Sequence, residues 1–146
     1  MTDIKKLMEI IGYNFKDNSL IKTALTHSSF SKENKIKNNE RLEFLGDRVL
    51  GLIISNEIFK KNLSSTEGEL AKQQSFLVCK TTLKKIANNI KLREFINCTQ
   101  SLKKNSVDSI IANTLEALIA AIYLDSNINQ TSKIVLKLWK SFLENI

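Results

Sequence analysis

The sequence predicts an all-α fold, on three observations. Pro is absent and Gly occurs four times, while Leu, Ile, Lys, Asn and Glu dominate the chain. Apolar residues recur at three- and four-residue spacing in segment after segment, the period of a helix face. Two long stretches, roughly 39–62 and 107–125, carry that pattern without a turn signal. With 146 residues the chain is long enough to bury a core as one domain, and it shows no repeat and no linker.

The elements follow in order. Residues 4–13 place Ile4, Leu7, Met8, Ile10 and Ile11 on one face, and Gly12 stops the helix. Asp17 or Asn18 caps a second helix, 18–27, with Leu20, Ile21, Ala24 and Leu25 inward. Residues 28–38 are polar and rich in Asn and Lys, which predicts an exposed loop. The third helix, 39–62, runs into Leu52, Ile53 and Ile54 and is expected to be buried. Thr66 and Glu69 have the spacing of a capping box opening a helix through Val78. A helix over 80–90 buries Leu83, Ile86, Ala87 and Ile90 and leaves Lys80, Lys84 and Lys85 outside. Residues 91–105 read as irregular. Ser106 is positioned to cap 107–125, which is apolar nearly all round and therefore central. A last amphipathic helix spans about 129–144.

The net charge of +7 points to a polyanionic partner, nucleic acid first, although a lysine-rich surface also serves solubility. Cys79 and Cys98 fit neither a disulfide framework nor a zinc site; they predict a reducing compartment and two small core residues. Charges among the first residues exclude a signal peptide, and no apolar run suits a membrane span. A cytoplasmic location follows as the expectation.

On the third helix, Glu40, Glu43 and Asp47 form one acidic stripe, with Glu43 and Asp47 one turn apart. Stacked carboxylates repel, so a cation must offset them. On the apolar helix 107–125, Asn113 and Glu116 stand out and share a face. A buried Glu must be paired, neutralised or metal-bound. Bringing the two helices together would gather Glu43, Asp47, Asn113 and Glu116 around a divalent ion. The all-oxygen donor set favours Mg²⁺ or Mn²⁺ over Zn²⁺. The plain alternative pairs Glu116 with Arg41 or Arg48 and leaves the stripe solvated.

Glu40-Arg41-Leu42-Glu43-Phe44-Leu45-Gly46-Asp47 resembles the signature of the ribonuclease III family. Ala24–Phe30 resembles that family's earlier block, Glu67–Leu70 its middle block and Ser109–Ile119 its late block, followed by Ala121–Asp125. The likeness covers almost the whole chain. It implies an all-helical, homodimeric endonuclease domain over 1–146. The implied activity is Mg²⁺-dependent hydrolysis of double-stranded RNA in ribosomal or messenger RNA processing, leaving 5′ phosphates and short 3′ overhangs.

By motif matching, Glu43, Asp47 and Glu116 take the places of metal-binding carboxylates, with Asp47 and Glu116 catalytic. Asn113 stands where the family has its remaining metal-binding Asp. Glu40 and Glu69 match further acidic positions of the cleft; for Glu69 the cap reading has equal weight. Phe44 matches an aromatic that inserts into the partner subunit, and the plain alternative is a core Phe. His27 matches a structural or RNA-proximal position.

Three departures shape the expectations. Asn113 keeps a carbonyl oxygen but loses a negative charge, so the metal should be held less tightly, and a catalytically inactive double-stranded-RNA-binding homologue stays open. The family's Gly-rich segment is missing between Asn97 and Asn105. The family's separate double-stranded-RNA-binding domain is absent from 1–146, so the chain is either a piece of a longer one or grips RNA by the nuclease domain alone.

Overall fold

A computed structural model describes residues 3–34, 37–100 and 108–146. The described residues form helices α1 (Ile4–Ile11), α2 (Asn18–Ala24), α3 (Ser28–Asn34), α4 (Glu40–Lys61), α5 (Glu67–Val78), α6 (Lys80–Asn89), α7 (Asp108–Asp125), α8 (Ile128–Leu138) and α9 (Lys140–Glu144), with a single 3₁₀ turn at Leu92–Phe95. No named strand occurs among them; one isolated parallel bridge joins Thr26 to Asn97. The predicted cap at Ser106 and the segment Ser101–Asn105 lie outside the described residues.

α7 is the axle. From Ile111 to Ile122 every residue but Asn113 is buried, as its all-round apolar sequence requires. α2, α4, α6 and α8 pack around it. Local signals set many of the ends. Gly12 closes α1 at φ +73, the left-handed conformation that favours glycine. Asp17 caps α2. Thr66 and Glu69 make the reciprocal capping box of α5, at 3.2 and 2.7 Å.

Five expectations are corrected. Residues 28–34 are helical, because His27 supplies the cap: its ring Nδ1 accepts from the Ser29 N–H at 3.1 Å and its carbonyl from the Phe30 N–H at 3.0 Å. α2 ends at Ala24, because the chain from Leu25 to His27 exchanges backbone hydrogen bonds with Asn97 instead of continuing the helix. The predicted helix 129–144 breaks at Trp139, whose buried indole N–H donates to the Leu77 carbonyl at 2.8 Å. Cys79 is an exposed corner rather than a core residue. α4 is also less enclosed than expected: Leu52 and Phe59 stay exposed on its outer side. No helix among the described residues is long and apolar enough to cross a membrane.

Candidate active site

The start of α4 is anchored from two sides. Asn39 is buried and donates its side-chain amide to the Ala24 carbonyl at 3.1 Å, while its N–H reaches the Thr26 carbonyl at 2.9 Å. Asn38 accepts from the Glu40 N–H at 3.0 Å. Glu40 and Glu43 then fall in the first turn, where the helix dipole favours negative charge.

Gly46 explains how this stripe reaches α7. A Cβ at Gly46 would lie 1.7 Å from the backbone carbonyl oxygen of Glu116. Only glycine allows the two backbones to approach this closely. The crossing puts the side chains on either side of Gly46 beside those of Glu116 and Asn113.

The result is an open cleft of about 360 Å³ lined by Glu40, Glu43, Phe44, Asp47, Arg48, Val78, Lys80, Leu83, Asn113 and Glu116. Glu43, Asp47, Asn113 and Glu116, which the sequence assigned to one site, are thus gathered. Glu69 is not among the lining residues; its carboxylate is occupied in capping α5.

The electrostatics are set by burial. The Glu116 side chain is 7 % exposed. Burial, with the Asp47 carboxyl beside it, pushes its pKa up to about 7, against the opposing pull of Lys80. Burial likewise raises Glu43, with Lys80 opposing and Glu40 assisting. Arg48 does not pair with Glu116. Its guanidinium meets Asp47 at 3.3 Å and lies 3.9 Å over the Phe44 ring. Arg41 faces a different hollow.

The cation on Glu116 is Lys80, which the sequence placed outside. Its ammonium is 3.3 Å from Glu116 Oε1 and also donates to Asn113 Oδ1. The α5–α6 corner puts it there: Cys79 is extended between the helices, so Lys80 opens α6 directly over the cleft. The only sequence signal was the corner itself, since one lysine among Lys80, Lys84 and Lys85 carries no mark of its own.

His27 lies half-buried beside α3, its Nδ1 committed to Ser29; burial lowers its pKa, with Glu40 opposing.

Phe44 is 63 % exposed, so it is not a core residue. It borders a second hollow of about 880 Å³, floored by Leu20, Leu42, Leu45 and Leu124.

A divalent ion is implied by the resemblance. Among the described residues no three His, Cys, Asp or Glu side chains are grouped so that they could by themselves hold a metal ion. Magnesium, however, uses one or two carboxylates and keeps water for the rest. The acids of the pocket and Asn113 offer oxygen donors, and a cation, the Lys80 ammonium, is already drawn onto Asn113 and Glu116. These residues fit a hard divalent ion.

Comparison with known proteins bears on the same residues. A family profile described as Ribonuclease-III-like matches residues 17–142. The chain is 41 % identical to Ribonuclease 3 of Rickettsia felis over 150 residues, covering 99 % of this chain and 67 % of the relative. It is 41 % identical to Ribonuclease 3 of Aliarcobacter butzleri, covering 100 % of this chain and 65 % of the relative. The chain thus spans about two thirds of the length of these relatives. The nuclease domain of ribonuclease III from Campylobacter jejuni superimposes with a TM-score of 0.90 at 40 % identity, over 97 % of this chain and 99 % of that one. That structure is described as flexible in a region involved in dimer formation. Dicer from Pichia stipitis superimposes with a TM-score of 0.72 at 27 % identity, over 90 % of this chain and 58 % of that one. With the helical frame, the acidic cleft and these relatives in agreement, the chain belongs to the ribonuclease III family and carries its nuclease-domain fold.

Proposed function

We propose that residues 1–146 form a single catalytic domain, a Mg²⁺-dependent endoribonuclease that hydrolyses double-stranded RNA as a homodimer and leaves 5′ phosphates with short 3′ overhangs. The observation that carries this reading is Glu116, buried on the floor of an acidic cleft beside Glu43, Asp47 and Asn113. The four are the donors for the ion, Mg²⁺ or Mn²⁺, with Asp47 and Glu116 as the catalytic pair. When bound, such an ion activates water and stabilises the charge of a phosphodiester under attack.

The remaining work falls to the chain. Gly46 sets the distance between the carboxylates of α4 and α7. Arg48 holds Asp47 at the cleft mouth and stacks on Phe44. The net charge of +7 suits the phosphates of an A-form duplex, recognised by shape, and affinity should fall steeply with salt. Phe44 beside the apolar hollow of about 880 Å³ supports a self-complementary contact in which each copy's Phe44 enters the other's hollow. The setting is cytoplasmic RNA processing, of ribosomal precursors or messages.

Cleavage of a long RNA duplex with and without Mg²⁺, run beside size analysis of the protein, tests this reading. Cutting should need Mg²⁺ and vanish in Glu116→Gln; a variant as fast as the parent removes Glu116 from the site.

A second reading rests on Asn113. With an amide there and Lys80 seated on it, the domain binds double-stranded RNA without cutting. Asn113→Asp separates the two. A large gain in Mg²⁺-dependent cleavage at unchanged RNA affinity marks a disabled nuclease site, and no gain favours binding alone.

A further inference from the structure

The seat between Asn113 and Glu116 is taken by a group of the chain itself. Lys80 is the first residue of α6, where the helix dipole disfavours a cation. Its side chain is 60 % exposed, so it reaches the acidic floor from solvent. Among the described residues, every other charged group lining the cleft is on α4 apart from Glu116: Glu40, Glu43, Asp47 and Arg48. Arg48 is turned onto Asp47 and Phe44. Glu116, the most buried acid, is therefore answered by Lys80.

We propose that Lys80 is an intramolecular counter-cation, which holds Asn113 Oδ1 and Glu116 Oε1 in place of a divalent ion and must leave for that ion to enter. The inference rests on the metal reading above and adds competition for the same oxygens. An ammonium and a divalent ion cannot share them, because two cations at contact distance repel. The hold on Lys80 is weak enough to release, since it is half-solvated and opposed by the α6 dipole. A carboxylate at 113 would shift the contest toward the doubly charged ion; the amide leaves it closer to balance. Lys80 is a positioning residue here, since it acts on the site oxygens rather than on substrate.

The test is Mn²⁺ alone, titrated into the full chain and read by electron paramagnetic resonance of the unbound ion. Lys80→Met keeps the stem and removes the charge; at an exposed position it should fold, which circular dichroism checks. Its Kd for Mn²⁺ should fall about three- to fivefold, the upper end of the worth of a part-exposed ion pair expressed as affinity. Lys80→Arg keeps the charge and should stay within about twofold of the parent. Combining Lys80→Met with Glu116→Gln should erase the gain, because the two groups act on one seat. Equal Kd values for parent and Lys80→Met overturn the inference and leave the metal site standing. No Mn²⁺ binding in either overturns the inference together with the nuclease site beneath it.

Discussion

Replacing Gly46 with Ala tests the geometry that creates the cleft. The added Cβ would sit 1.7 Å from the Glu116 carbonyl oxygen and 2.5 Å from its carbonyl carbon. Both are backbone atoms of a buried helix, so no flexible side chain can swing aside. An ordinary contact needs α4 and α7 to part locally by about 1.7 Å, in an interior packed as tightly as a crystal. Overpacking of this kind costs about 3 kcal/mol or more. The better helix propensity of Ala returns about 1 kcal/mol. The net loss is about 2–3 kcal/mol, or roughly 5–10 °C in Tm for a domain of this size. Gly51, on the same helix, is the control: its added Cβ would meet nothing nearer than Gln74 Nε2 at 3.7 Å, so Gly51→Ala should be neutral or stabilise by up to about 1 kcal/mol. Thermal melts by circular dichroism read both, and Mn²⁺ titration should show weaker binding in Gly46→Ala. A Gly46→Ala protein that melts with the parent, or a Gly51→Ala protein that loses as much, would refute the close crossing.

Three further outcomes are expected. The Glu116 carboxyl is raised from 4.5 to about 7, so the folded state favours its protonated form; that stabilisation is full below pH 4.5 and lost as pH rises to about 7. Without divalent ions, Glu116→Gln should therefore be more stable than the parent at pH 8, by on the order of 2 kcal/mol, and the difference should close by pH 4, as denaturant melts at the two pH values will read. Phe44→Asp should shift the protein toward monomer in sedimentation without lowering the stability of the monomer, since that ring is 63 % exposed. Asp125 accepts from the Tyr13 hydroxyl at 2.6 Å and from the Lys16 and Asp17 N–H groups at 2.8 and 2.9 Å. Burial would raise its pKa, but these bonds hold it below the ordinary value, so its contribution is present above the unfolded carboxylate pKa and fades as pH falls through the folded one. Asp125→Asn should destabilise at neutral pH, and the difference from the parent should shrink in acid.

What the sequence by itself determined was much of what is written within a turn or two of chain, the His27 cap of α3 being the exception. Gly12 ends α1, Thr66 and Glu69 cap α5, and the apolar run from Ile111 to Ile122 becomes the buried axle. The acidic stripe and the Asn113–Glu116 pair were legible for the same reason, since helical period places residues three and four apart on one face. The tertiary structure alone decided which charge answers which. Lys80 meets Glu116 across 36 residues, because the extended Cys79 turns α6 over the cleft. Trp139 interrupts a regular pattern to reach Leu77, 62 residues away along the chain, and the packing of the helices leaves Glu69 outside the cleft. Periodicity reports which side of a helix is apolar, while the partner of a buried charge depends on what the other helices bring within a few ångströms.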